Sequence, residues 1–140
     1  MKKLLILIIF FSSFSGFSQK NNCNESIFPY WYNGINSRII GESPTLRLAF
    51  AKIKQTENAI EPKNGFITLR LNVSKTGDVC SCKTFQIDEN YKKTTFNNGK
   101  LVNKLEKIAL GLTDWVRDKE YLTYNLIRLK IKDGKIEEIF

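Results

Sequence analysis

Hydrophobic and polar residues alternate most regularly between positions 65 and 87. A period of two indicates a strand with one buried face, and it predicts strands over residues 66–74 and 78–87. The polar stretch between them contains Gly77, which can take a positive φ at no steric cost. The pattern therefore predicts an antiparallel hairpin. Its first strand carries four apolar residues, each separated by one polar residue: Ile67, Leu69, Leu71 and Val73.

Two other stretches have the period of a helix. Ser43 and Pro44 suit an N-cap and a first helical position, and the apolar spacing after them predicts a helix over residues 44–57. Trp115 follows a second apolar stripe, and we expect its ring to close the gap between helix and sheet, with the indole N–H bonded to a partner. That stripe predicts a helix from about residue 98: Leu101, Leu105, Ile108, Ala109 and Leu112.

The C-terminal residues predict a second hairpin. Strands are expected over residues 123–131 and 136–140, joined by the two-residue turn Asp133-Gly134. The element order is then helix, β, β, α, β, β. It predicts an α+β fold, a two-layer antiparallel sheet with one main helix packed on a face and an extra N-terminal helix. Seven residues are expected in the core: Leu69, Leu71, Leu105, Ile108, Leu112, Trp115 and Leu129.

The chain begins with the features of a secretory signal peptide: two lysines, a short apolar run and a stretch of small residues. We expect cleavage after Ser18, with cleavage after Gln19 as the alternative. An uncleaved anchor is the other interpretation, although the apolar run is shorter than the ~20 residues of a spanning helix. The predicted organisation is a signal peptide over 1–18, an N-terminal strap and helix over 19–64, and a β-β-α-β-β domain over 65–140. After cleavage no transmembrane span is expected.

Three cysteines in an exported chain raise the question of a disulfide. Cys80 and Cys82 lie two apart on a predicted strand, so their Cβ atoms would be about 6.6 Å apart. A disulfide requires about 3.8 Å, so Cys23 is expected to pair with one of the two and to leave one free thiol. A Cu(I) or Zn²⁺ site built from all three is the alternative. The chain has no histidine, and we predict no metal.

Composition argues against several kinds of chemistry. Without the two lysines of the leader the net charge falls from +8 to +6, from 20 basic and 14 acidic residues. A positive charge of this size favours an anionic surface, whereas the scattering of the basic residues does not favour nucleic acid. The acidic neighbours Asp88–Glu89 and Glu137–Glu138 would point to opposite faces of a strand, so neither pair converges for acid–base work. We therefore predict no catalytic residue, no cofactor and no enzyme.

An aromatic segment lies ahead of the first predicted helix. We interpret it as a strap that covers the core, and a platform for carbohydrate or peptide is the alternative. Its aromatic residues fall within positions 27–36: Phe28, Tyr30, Trp31 and Tyr32.

From Gly65 onward the chain resembles the C-terminal domain of TonB-type energy transducers. The resemblance rests on the spacing G-x-I-x-L-x-L-x-V-x-x-x-G-x-V, on the amphipathic helix, on the tryptophan just after it and on the strand that follows, and it covers about 75 residues. The chain is similar to stand-alone exported copies of this domain of the Bacteroidetes type. The membrane anchor and proline-rich spacer of an energy transducer are not found in it.

The resemblance implies a module of the periplasm or cell envelope, or a secreted one, that binds an extended peptide or a protein edge by strand addition. It suggests an outer-membrane receptor as the partner, without energy transduction by this chain. The alternative is a structural or inhibitor-like envelope protein that binds an anionic surface polymer. Whether the last strand covers the binding edge stays open. The implied edge lies on the last two strands: Leu126, Ile127, Arg128, Leu129, Lys130, Ile131, Ile136, Glu137, Glu138 and Ile139.

Overall fold

The computed structural model describes residues 23–140, and the predicted signal peptide with its cleavage site lies outside them. The described part of the chain is an α+β fold, as the sequence predicts, with two short 3₁₀ turns at Tyr32–Gly34 and Phe96–Gly99. Its helices and strands are β1 Phe28–Pro29, β2 Arg38–Ile39, α1 Glu42–Ala49, α2 Ala51–Thr56, β3 Gly65–Val73, β4 Val79–Asp88, α3 Lys100–Leu110, β5 Trp115–Val116, β6 Thr123–Lys132 and β7 Lys135–Ile139.

The main sheet is built around β3, which alternates between buried and half-buried residues along its whole length. β3 pairs antiparallel with β4 on one side and with β6 on the other. The far side of β6 pairs with two strands, antiparallel with β7 and parallel with β1. We call the face that carries the buried residues of β3 the inner face, and the opposite one the outer face. α3 packs against β3 and β4.

The core lies between the inner face and the helices. α3 directs one row, Leu101, Leu105 and Ala109, towards the sheet. This row leaves Ile108 at the flank, where it is only partly buried, so its expected place in the core is corrected. The other six residues predicted for the core are buried: Leu69, Leu71, Leu105, Leu112, Trp115 and Leu129.

The helix predicted over residues 44–57 is two helices. α1 begins at Glu42, and Gly41, which has no side chain to offer, stands at its N-cap instead of the expected Ser43. Phe50, with φ −96° and ψ 4°, separates α1 from α2. Its side chain is fully buried. The break therefore falls at the residue that anchors both helices in the core.

The aromatic segment is held against the edge of the sheet. Phe28 in β1 pairs with Thr123 of β6, and its ring stacks on Tyr32 with centroids 4.8 Å apart. Trp31 is 64% exposed, and Tyr30 and Tyr32 are exposed as well. Ile35 of this segment is fully buried and Phe28 is half-buried, so the three exposed aromatic residues do not take the covering role expected of them.

Buried polar side chains fasten this strap to β6. Ser37 Oγ donates to Asn125 Oδ1 at 2.9 Å, Asn125 Nδ2 donates to the Ser37 carbonyl at 2.9 Å, and Thr123 Oγ1 donates to Ser37 Oγ at 3.1 Å. These groups satisfy one another, as buried polar atoms must. The indole of Trp115 differs from expectation, because its buried Nε1 has no hydrogen-bond partner among residues 23–140.

Candidate functional site

The residues of the predicted edge lie on β6 and β7, and these two strands pair with each other. Lys130 lies opposite Glu138, and Ile131 lies opposite Ile136. Beyond the end of β7, Phe140 still bonds to the backbone of Arg128. From Arg128 onward, the far side of β6 is therefore taken by the chain's own last strand.

One position on the far side of β6 stays open between β1 and β7. The Tyr30 N–H donates to the Tyr124 carbonyl at 3.1 Å, and pairing with Phe140 begins at Arg128. Leu126, between them, directs an N–H and a C=O outward, and nothing in residues 23–140 bonds to them. A cavity of about 400 Å³ opens beside Leu126. A single residue offers at most two main-chain hydrogen bonds, which is little for a bound strand.

The other edge of β7 is covered as well. Lys54 Nζ donates to the Glu137 carbonyl at 2.8 Å, and α1 and α2 both contact the strand. The Glu137 side chain forms salt bridges with Lys130 and Lys132 at 2.7 and 3.2 Å. Hydrogen bonds from these two lysines lower the pKa of the Glu137 carboxyl. Both the carbonyl and the carboxylate of Glu137 are therefore bonded to neighbouring lysines.

The long open edge of the sheet belongs to β4. Within the sheet β4 pairs only with β3. Near its end the Gln86 carbonyl accepts from the Thr94 N–H at 3.2 Å. The backbone N–H and C=O of Gln86 therefore point away from β3. Because the direction of the backbone N–H and C=O groups alternates along a strand, those of Thr84 and Cys82 also point away from β3. No described residue bonds to their outward N–H and C=O groups.

Both ends of this open edge are defined by other parts of the chain. At one end Cys80 is bonded to Cys23, with Cα atoms 6.2 Å apart. At the other end Lys93 forms an antiparallel bridge with Ile87. The stretch between them, residues 81–85, is about 17 Å long. The Cys23–Cys80 bond confirms the prediction that Cys23 pairs with one of the two neighbouring cysteines, and Cys82 is the free thiol.

Side chains of opposite character flank the edge. On the inner face, the Thr84 hydroxyl donates to the Glu106 carboxylate of α3. Burial, and then the negative charge of Glu106, raise the pKa of the Cys82 thiol to about 11. On the outer face, Lys83 Nζ lies 5.3 Å from the ring centroid of Phe85. A strand laid along β4 would meet an acid and a neutral thiol on one side and a cation on the other.

A cavity lies at the disulfide end of β4, between the β3–β4 turn and the end of α3. Its volume is about 560 Å³, and its lining includes Val79, Gly77 and Trp115. Two apolar residues at its walls, Ile40 and Leu110, are 56% and 46% exposed. Such a cavity can take an apolar side chain from a segment bound along the edge.

Sequence reasoning did not single out β4 as the edge. Its residues, V-C-S-C-K-T-F-Q-I-D, mix small, polar and aromatic types, and no residue of the strand is fully buried. β3 shows a strict alternation because sheet neighbours flank it on both sides and α3 covers one face. The weak alternation of β4 was the available signal that this strand has a neighbour on one side only.

The acidic residues that were considered for acid–base chemistry, Asp88 and Glu89, form structural hydrogen bonds. Asp88 Oδ1 accepts from the backbone N–H groups of Asn90 and Lys92, and Glu89 accepts from Asn64. Over the described range 23–140, no cluster of three or more histidine, cysteine or acidic residues could hold a metal ion. None of the helices there is long and apolar enough to cross a membrane.

Comparison of the chain with protein-family models, with curated proteins and with solved structures gives no match. The resemblance to TonB-type C-terminal domains therefore rests on the residues quoted above.

Proposed function

We propose that the protein is an exported binding module that takes up an extended peptide segment as an added strand on the free edge of β4. The observation that carries the proposal is the run of outward backbone groups at Cys82 and Thr84, which no described residue satisfies. Unpaired N–H and C=O groups in a row are a template for another strand. Main-chain bonds would supply affinity, and flanking side chains would supply selectivity.

A peptide suits this edge better than a second copy of the chain. Two β4 strands paired antiparallel about their middle would bring Lys83 of each copy close together, and like charges at that distance repel. Lysine on an edge strand is a known barrier to such self-pairing. A partner peptide with an acidic residue near Lys83 would instead be attracted to it.

The cavity beside the start of β4 supports a preference for an apolar residue at one end of the peptide. Ile40 and Leu110 expose apolar surface at its walls, and burial of that surface is favourable at about 25 cal/mol per Å². The ligand class is therefore an extended peptide with an acidic residue in its middle and an apolar residue towards the disulfide end. An extended segment of an outer-membrane receptor is the source that the TonB resemblance suggests.

The TonB-like fold, location and export belong to the same proposal. From Gly65 onward the long elements follow the order β-β-α-β-β, with the two-residue strand β5 inserted after α3, and this order supports the resemblance. The Cys23–Cys80 disulfide agrees with an oxidising compartment such as the periplasm or the cell exterior. The binding edge differs from the one that the resemblance implies, because β7 and β1 occupy that side of β6. Energy transduction is not part of the proposal.

Selection of displayed short peptides against the purified, disulfide-bonded protein tests the proposal. Thr84→Pro removes one outward N–H and, since that N–H bonds to nothing within β3, spares the β3–β4 pairing. Thr84→Val is the matched control, because it also loses the hydroxyl but keeps the N–H. We expect enriched peptides to bind the wild type and Thr84→Val alike, and to bind Thr84→Pro at least about tenfold more weakly.

Equal binding by all three proteins would refute strand addition at β4. Loss of binding in a Leu126→Pro variant alone would move the site to the gap in the far side of β6. Self-association that Thr84→Pro abolishes would assign the edge to a second copy of the chain.

A further inference from the structure

The outer face of the sheet carries a stripe of cations that crosses three strands. Lys83 of β4 lies opposite Arg70 of β3, and Arg70 lies opposite Leu126 of β6. Two residues further along β6 and on the same face, Arg128 lies opposite Thr68. Lys83, Arg70 and Arg128 therefore follow one another diagonally across the sheet, on the face opposite the core.

Two of these cations lie over aromatic rings. The guanidinium carbon of Arg70 is 4.1 Å from the ring centroid of Tyr124, and that of Arg128 is 4.2 Å from the ring centroid of Phe66. A guanidinium above an aromatic face is held by cation–π attraction with its N–H groups directed sideways and outward. The stacked arginines are thereby preorganised to donate paired hydrogen bonds to an anion.

The stripe is not neutralised within the described chain. Arg70 and Lys83 are direct cross-strand neighbours, an arrangement that costs stability because like charges repel. Across residues 23–140, no carboxylate forms a salt bridge with Arg70, Lys83 or Arg128. The buried Nε of Arg128 also has no hydrogen-bond partner there. Two acidic residues lie at the β7 margin of this face, where Glu138 lies opposite Lys130 and Glu137 forms salt bridges with Lys130 and Lys132.

Apolar side chains are exposed among these cations. Phe85 and Leu126 are each 46% exposed, and both lie on the outer face. Phe140, which pairs with Arg128, is also 46% exposed. A soluble polyanion would meet the cations and gain nothing from these side chains. A bilayer surface offers phosphate groups to the cations and the boundary of the acyl region to the apolar residues.

We infer that the outer face docks on an anionic phospholipid surface, with Arg70, Arg128 and Lys83 on lipid phosphates and Leu126 and Phe85 at the acyl boundary. The guanidinium groups that cover Phe66 and Tyr124 occupy the ring faces on which a sugar would stack, so a glycan fits this face less well. The inference shares Lys83 with the proposed peptide site, but it needs no free backbone group of β4, so the two proposals can be tested separately.

Co-sedimentation with phospholipid vesicles tests the inference. The purified, disulfide-bonded protein is mixed with vesicles of phosphatidylglycerol and phosphatidylcholine in equal parts, and with phosphatidylcholine alone. We expect binding to the anionic vesicles only, weakening as salt is raised. Arg70→Gln/Arg128→Gln should weaken this binding by about tenfold or more. Arg47→Gln/Lys107→Gln makes the same change in net charge on helix surfaces and should alter binding less than about twofold.

A second variant separates lipid from other polyanions. Leu126→Ser should weaken binding to anionic vesicles and leave binding to dextran sulfate unchanged. Absence of binding to anionic vesicles, or equal losses in the two double variants, would overturn the inference. So would dextran sulfate binding as tight as vesicle binding together with no effect of Leu126→Ser. Thr84→Pro should bind vesicles like the wild type, so a failure here is distinct from a failure of strand addition.

Discussion

Arg128 and Phe140 exchange two backbone hydrogen bonds, with N···O distances of 2.7 and 2.9 Å. This pair extends the contact of β7 with β6 and closes the side of β6 on which the TonB resemblance implies a binding edge. The closure leaves β4 as the long open edge of the described sheet. The proposed strand addition therefore takes place at β4, on the opposite side of the sheet from the edge that the resemblance implies.

The two α3 residues Leu105 and Ile108 should differ in their effect on stability. Leu105 is fully buried and Ile108 only partly so. Leu105→Ala should lower the free energy of unfolding by roughly 2–5 kcal/mol, because it leaves a cavity that the core cannot fill. Ile108→Ala should cost clearly less. Denaturant titration of both variants measures the difference. Equal costs would contradict the assignment of Leu105, and not Ile108, to the face of α3 that packs on the sheet.

Gly77 and Gly99 separate backbone strain from steric contact. Both have positive φ, +96° and +86°, but a Cβ at Gly77 would lie 2.6 Å from the Trp115 carbonyl oxygen, and a Cβ at Gly99 would meet nothing within 4 Å. Gly99→Ala should cost about 1–2 kcal/mol from strain alone. Gly77→Ala should cost a further 1–3 kcal/mol or so, from the forced shift of packed backbone. Thermal unfolding of the two proteins checks the order, and a larger loss for Gly99→Ala would contradict it.

The disulfide should contribute to stability and the third cysteine should not. Cys23 and Cys80 are 57 residues apart in sequence, so their link restricts the unfolded chain. Cys23→Ser should lower the free energy of unfolding by about 2–5 kcal/mol, with Cys82→Ser as the control. Peptide mapping without reduction should recover Cys23 joined to Cys80. A Cys23–Cys82 peptide would contradict the assignment.

The free thiol should react slowly and more readily at high pH. Burial and the Glu106 carboxylate raise the pKa of Cys82 to about 11, against about 8.5 in a peptide. At about pH 8, alkylation by iodoacetamide should be roughly a hundredfold slower than in the unfolded chain, because the thiolate is the nucleophile. Glu106→Gln should speed it. Mass spectrometry over time gives the rates.

The same raised pKa fixes the sign of a stability change. Between about pH 8.5 and about pH 11 the unfolded chain loses the Cys82 proton while the folded chain keeps it, so stability should fall as the pH rises through that range. Cys82→Ser should remove this part of the pH dependence. An unchanged slope in the variant would mean that other groups account for it.

The sequence predicted the elements whose environment is uniform along their length. β3 has sheet neighbours on both sides and α3 over one face, so its burial alternates strictly and its sequence does too. α3 presents one row to the sheet, which the helical spacing of Leu101 and Leu105 reveals. In these elements local pattern and tertiary environment agree, which is why pattern alone suffices.

The binding edge depends on pairings between distant residues. β1 consists of two residues, Phe28–Pro29, and its parallel pairing with β6 leaves no periodic signal in the sequence. The pairing of β7 with β6 follows from the predicted Asp133-Gly134 hairpin, but the sequence leaves open whether β7 covers the implied binding edge. Because β1 and β7 close the far side of β6, the choice of β4 as the long open edge depends on these distant pairings, and the weak alternation of β4 is its one local signal.

Backbone amide hydrogen exchange by NMR, with and without a peptide obtained by selection, tests the central claim most directly. Strand addition at β4 predicts that the outward N–H groups of Cys82 and Thr84 exchange quickly in the free protein and become strongly protected when the peptide binds. The Leu126 N–H should stay unprotected. Protection at Leu126 without protection at Thr84, or peptide binding that protects neither amide, would contradict the account.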